Sequence, residues 1–291
     1  MPKLLNTKDP DFERLFSKFL HREESKNRKL IKTVSSILES VRRDGDRALI
    51  KLTETHDNFF LSEESISFSD DEIKSQITLV SPTEKKALQL AADRIRSYHE
   101  KQVPQDALWA DDLGARVGWA WRPIAKVGLY VPGGTASYPS SLIMNVVPAI
   151  VAGVKRIVVV TPSVNSYINP YLLCLLDYLK IKEAYQIGGA QAIGALAYGT
   201  KTIKPVKKII GPGNQYVSEA KKQVYGSVGI DLIAGPSEIV VVADKHNNPN
   251  WVAADLIAQA EHDEKAQSIL ITDSNNFGNK VLSSIKDLIS N

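Results

Sequence analysis

The stretch Ala258-Gln259-Ala260-Glu261-His262-Asp263-Glu264 brings an imidazole, an amide and three carboxylates together. At a three-residue separation Gln259 and His262 fall on one helix face, so both side chains can reach one point. An imidazole nitrogen and an amide oxygen can each bind a divalent metal, although glutamine is an uncommon zinc ligand. Glu261, Asp263 and Glu264 add oxygens that project in other directions. On spacing alone, such a pair near a helix end reads as a surface or capping pair. Two ligands also fall short of a catalytic zinc site, which takes three protein side chains and a water. The other four histidines, His21, His56, His99 and His246, stand in polar surroundings and suggest no chemistry.

A second kind of chemistry is written in glycine. Val131 runs into Pro132-Gly133-Gly134, Ile187 into Gly188-Gly189-Ala190-Gln191, Ile210 into Gly211-Pro212-Gly213-Asn214, and Ile233 into Ala234-Gly235-Pro236-Ser237. Each loop follows an apolar, strand-like run. Ligands of open α/β sheets sit outside the carboxyl ends of strands, where glycine lets the backbone approach closely and helix N-termini offer free N–H groups. One such loop is a turn; four at the same strand end describe a ligand crevice. The familiar nucleotide and hydrolase motifs are missing: the sequence has no G-x-G-x-x-G, no G-x-x-x-x-G-K-[ST] and no G-x-S-x-G.

The elements that must position these residues are legible from periodicity. Residues 11–100 read as helical, with Leu30, Val34, Ile37, Leu38 and Val41 at three- and four-residue spacing. Ser81-Pro82-Thr83-Glu84 is a capping box that opens an amphipathic helix. From Val117 the pattern changes to strands at 117–121, 127–131, 156–160, 184–187, 208–210, 231–233, 238–243 and 268–272. Helices are expected at 141–152, 170–179, 190–197, 215–224 and 250–261. That alternation predicts an α/β fold with a largely parallel sheet covered on both faces.

Composition agrees with a folded, non-membrane chain. The 291 residues are 43% hydrophobic and 24% charged, and the net charge of +3 is no nucleic-acid footprint. Cys174 is the only cysteine, in an apolar run, and reads as an inert buried thiol; with no disulfide available, a reducing compartment, the cytoplasm, is expected. The longest apolar stretch, 142–154, contains Asn145 and Pro148 and is too short to span a bilayer. No membrane or nucleic-acid partner is expected.

Five ordered segments also resemble histidinol dehydrogenase: 127–134, 188–193, 211–214, 234–238 and 259–262, with 37–57 similar to that family's N-terminal helices. The resemblance implies two incomplete Rossmann-like domains, preceded by N-terminal helices. It implies a zinc-dependent, NAD-linked oxidation of L-histidinol to L-histidine through histidinal, in histidine biosynthesis, by a homodimer. Carried over residue by residue, Tyr130, Gln191 and Asn214 are expected to contact NAD. Ser237, Gln259 and His262 are expected to contact substrate, the last two also as zinc ligands. Residues 1–129 with 237–291 would form a discontinuous first domain and 130–236 a second, with cofactor and substrate between them.

The family continues past the position of Asn291, and its acid/base Glu-His pair and remaining Asp and His zinc ligands have no counterpart here. The chain is therefore expected to be a fragment, inactive alone for want of a positioned base. The alternative is a non-catalytic nucleotide- or ligand-binding module using the same loops.

Overall fold

The computed structural model describes residues 3–20, 24–133, 139–163, 165, 167–233, 238–261 and 266–290. Its helical opening comprises α1 (Phe12–Leu20), α2 (Glu24–Asp44), α3 (Asp46–Asp57), α4 (Asp70–Ile77) and α5 (Pro82–Glu100). The expected apolar stripe of α2 is buried through Val34, Ile37, Leu38 and Val41. Gly45, at φ 57°, separates α2 from α3 in a conformation most residues avoid. The capping box of α5 forms as expected: Glu84 N–H donates to Ser81 Oγ, and Glu84 accepts from Ser81 N–H. A second box, Ser69 with Glu72, opens α4.

Next come β1 (Ala107–Ala110) and β2 (Arg116–Trp119), then β3 (Lys126–Tyr130), α6 (Pro139–Val151) and β4 (Arg156–Val160). They are followed by α7 (Pro170–Tyr178), β5 (Glu183–Tyr185), α8 (Gly189–Tyr198), β6 (Lys208–Ile210), α9 (Gln215–Val224) and β7 (Gly229–Ile230). Strands β3 to β7 make one parallel sheet in the order β5-β4-β3-β6-β7. Alternation along β3 and β4 sends Tyr130, Val158 and Val160 into a core with side chains of α2, α3, α8 and α9. Val127, Leu129 and Val159 face the opposite core with side chains of α5, α6 and α7. The sheet is thus covered on both faces, which explains why its strands read as continuous apolar runs.

Two expectations shift. The strand around 117–121 forms as β2, but pairs with β1 in a separate antiparallel hairpin. Its turn is closed by Asp111, whose Oδ1 accepts from the N–H of Leu113 and Ala115. No strand forms at the expected 231–233; β7 lies just before it, at Gly229–Ile230, and Asp231 pairs its carboxylate with buried Lys221.

Beyond these elements lie β8 (Glu238–Val242), α10 (Pro249–Ala260), β9 (Gln267–Ile271) and α11 (Asn275–Ser290). The chain divides into two compact units, Met1–Ile233 and Ala234–Asn291. In the second, β8 and β9 pair in parallel, and Ile239, Val241 and Leu270 pack with Val252, Ala253, Leu256, Phe277 and Val281. Among the described residues, no helix is long and apolar enough to cross a membrane.

Candidate functional site

The sheet order itself locates a crevice. From β3 the chain steps outward to β4 and β5, then returns to the other side of β3 for β6 and β7. The connections after β3 and β6 therefore part in opposite directions, and ligands bind at such a switch point. Tyr130 ends β3, and Gly211 directly follows β6.

Gly211 is held on both sides. Its N–H donates to Asp231 Oδ2 at 2.8 Å, and its carbonyl accepts from Lys221 Nζ at 2.9 Å. Lys221 also forms an ion pair with Asp231 Oδ1, with the lysine side chain 3% exposed and the aspartate 23%. A buried charge pair of this kind persists because each charge meets the other and the remaining hydrogen-bond capacity is used locally. A side chain at Gly211 would strike the Tyr130 carbonyl oxygen, and its φ of 127° disfavours any other residue. Three residues later Asn214 caps α9, its Oδ1 accepting from the N–H of Tyr216 and Val217 at 3.0 and 3.2 Å. That leaves Nδ2 of this exposed residue as the group available to donate.

On the other side of the switch point, the phenol of Tyr130 reaches the first turn of α8 and accepts from Gly189 N–H at 3.1 Å. Burial pushes the Tyr130 hydroxyl up to about 12, against the opposing pull of that Gly189 bond, so it stays a neutral donor at ordinary pH. Gly188 is needed for a different reason: a Cβ there would sit 2.5 Å from the Pro162 Cβ, so the loops after β4 and β5 touch. Gln191, 2% exposed, lies in the first turn of α8, and its Nε2 is buried with no hydrogen-bond partner. Leaving a buried donor unmet costs about 1–3 kcal/mol, an expense normally relieved by a ligand or water.

These groups fit a dinucleotide. The N-terminal ends of α8 and α9 present the positive ends of their helix dipoles, glycines allow close backbone approach, and Tyr130, Gln191 and Asn214 offer neutral donors. The structure brings Tyr130 and the Gln191 turn together through Gly189, and sets the Asn214 loop against Tyr130 through Gly211.

The expected zinc and substrate residues are less completely described. Gln259 is half-buried on the last turn of α10, while Ser237 and His262 lie outside the described residues. No group of three or more His, Cys, Asp and Glu side chains that could hold a metal occurs among the described residues. Cys174 is buried as expected, and burial raises its thiol.

The sequence reading missed Lys221 and Asp231. A signal existed: Lys221 stands four residues after Val217 and three before Val224, both buried positions of α9. An interior lysine requires a partner, but spacing does not say which.

Comparison with known proteins gives a consistent picture. The family profile of histidinol dehydrogenase matches residues 20–291. The chain is 52% identical over 285 residues to histidinol dehydrogenase of Ruegeria pomeroyi, covering 98% of this chain and 66% of that one. It is 49% identical over 287 residues to the Rhodospirillum rubrum enzyme, covering 99% and 66%. It also resembles the crystal structure of histidinol dehydrogenase from Elizabethkingia anophelis, with TM-score 0.78 and 39% identity, covering 89% of this chain and 60% of that one. The chain thus spans just under two thirds of the length of these relatives.

Proposed function

The chain belongs to the histidinol dehydrogenase family, and from that premise we propose that it carries the cofactor-binding part of a zinc-dependent, NAD-linked oxidation of L-histidinol to L-histidine. The observation that carries the reading is the unmet Nε2 of buried Gln191, in the same first turn of α8 as the Tyr130–Gly189 hydrogen bond. A protein keeps such a defect where a ligand repairs it.

NAD would accept the hydride, and the chain's own residues would align it. In this reading Gln191 Nε2 and the Tyr130 hydroxyl donate to the dinucleotide from the β3–α8 side. Asn214 Nδ2 donates from the β6–α9 side. The Lys221–Asp231 pair holds Gly211 still, so that the loop keeps its distance from Tyr130. Zinc, held by Gln259 and His262 with further ligands, would gather the substrate's nitrogens and orient its alcohol carbon. Ser237 would contact the same substrate. The wider proposal places 1–129 with 237–291 in a discontinuous domain of a soluble, cytoplasmic homodimer.

The test is a titration of NAD into the 291-residue chain, followed by an assay of histidinol-dependent NADH formation. The assay adds a second chain carrying the remaining third of the Ruegeria pomeroyi relative. Binding by the first chain and turnover only with both would support the reading. Failure to bind NAD would overturn it.

A further inference from the structure

Helix α3 ends at Asp57, and its end is fastened to the segment that leaves β4. The Asp57 carbonyl accepts from Asn165 N–H at 3.1 Å, and Asn58 Nδ2 donates to Asn165 Oδ1 at 3.0 Å. Asn58 occupies the left-handed region at φ 49°, which turns the chain sharply after Asp57. Helix α3 packs into the same core as Tyr130 and the first turns of α8, so Asp57 approaches the crevice from the face on which Tyr130 points. Its Oδ2 is buried and has no hydrogen-bond partner. Burial holds the Asp57 carboxyl up at about 6, against His56, and its charge raises the Tyr130 phenol, so the two groups feel one another.

The place is chemically specific. In a sheet of this order the strand beside the central one is where dinucleotide-binding folds put an acidic residue that accepts from the ribose 2′-hydroxyl. Here that strand is β4, and the residues after it, Thr161-Pro162-Ser163-Val164-Asn165, contain no acid. An acidic residue is brought to this segment by α3 instead: Asp57, whose backbone carbonyl accepts from Asn165 N–H. We infer that Asp57 accepts a hydrogen bond from the adenosine ribose diol of the bound dinucleotide, and so selects the unphosphorylated cofactor over its 2′-phosphorylated form. A carboxylate welcomes two hydroxyl donors and repels a phosphate carrying nearly two negative charges. The inference rests on the cofactor reading above and adds the residue that chooses between the two cofactors.

The experiment is calorimetric titration of the 291-residue chain and of its Asp57→Asn variant. The probes are ADP-ribose and 2′-phospho-ADP-ribose, neither of which can undergo hydride transfer. The wild-type chain should prefer ADP-ribose. Asp57→Asn should weaken ADP-ribose at least about tenfold, as expected for a lost hydrogen bond to a charged acceptor, and narrow the preference by a similar factor. Asp57→Ser serves as the second variant should the asparagine chain fail to fold. An unchanged preference in a folded variant overturns the assignment and leaves the cofactor reading standing. A wild-type chain that binds neither probe overturns both.

Discussion

The two compact units differ in how far each satisfies itself. In Met1–Ile233 five parallel strands are covered on both faces, and Leu129, Val158 and Val160 are sealed from solvent. Among the described residues of Ala234–Asn291 two parallel strands pair, and helices cover one face; on the other, Val240 is 53% and Val242 77% exposed. Parallel sheets are normally buried on both sides, because they lack the alternation that lets one face meet water. The second unit carries Gln259 on the last turn of α10, the helix that packs on one face of its two-stranded sheet. The residues proposed to contact the cofactor lie in the unit whose sheet is covered on both faces, and the expected metal ligand Gln259 lies in the other.

Mutations can break or sharpen this contrast. The largest effect is expected from Asp231→Ala, which strands the buried Lys221 ammonium and leaves the Gly211 N–H without its acceptor; removal of one partner of a buried pair costs about 3–5 kcal/mol. Urea denaturation measures the loss, and a change below about 1 kcal/mol would deny Lys221–Asp231 its role. Leu129→Ala, in the saturated core, should cost about 2–5 kcal/mol by the cavity it leaves. Val242→Thr, on the bare face of the second unit, should stay within about 0.5 kcal/mol in the same assay. Equal losses for these two would erase the distinction between the units.

The smallest effect is a pH slope. Asp57 is held above its ordinary value by burial, so the folded chain binds that proton more tightly than the unfolded one. Its contribution to stability is therefore present at low pH and lost as pH rises from about 4 to about 6. Asp57→Asn removes the term, so the variant should gain on wild type across that window in thermal melts. A difference independent of pH would contradict the burial of this carboxyl.

Much of the saturated unit was legible because its signals are local. The 3.6-residue stripe of α2, the Ser81–Glu84 box and the glycine-ended strands each state their structure within a few residues. Tyr130, Gln191 and Asn214 were expected as cofactor contacts from resemblance alone, and the buried, unmet Nε2 of Gln191 supports its part in that proposal. What stayed hidden depends on partners far apart in sequence. The ion pair of Lys221 spans ten residues with no periodic signature, and Asp57 meets the segment after β4 more than a hundred residues away. The β1–β2 hairpin was missed because its 107–110 strand is short and its pairing is set by a turn at Asp111 and Gly114.

One measurement bears most directly on the claim that the first unit holds a preformed cofactor subsite: paired determination of stability and NAD affinity for Gln191→Leu. Leucine removes the sealed, unmet donor while keeping most of the volume. The account expects the variant without ligand to gain about 1 kcal/mol in urea unfolding and to lose at least about tenfold in NAD affinity. An unchanged affinity, or a variant that loses stability and affinity together, would contradict it.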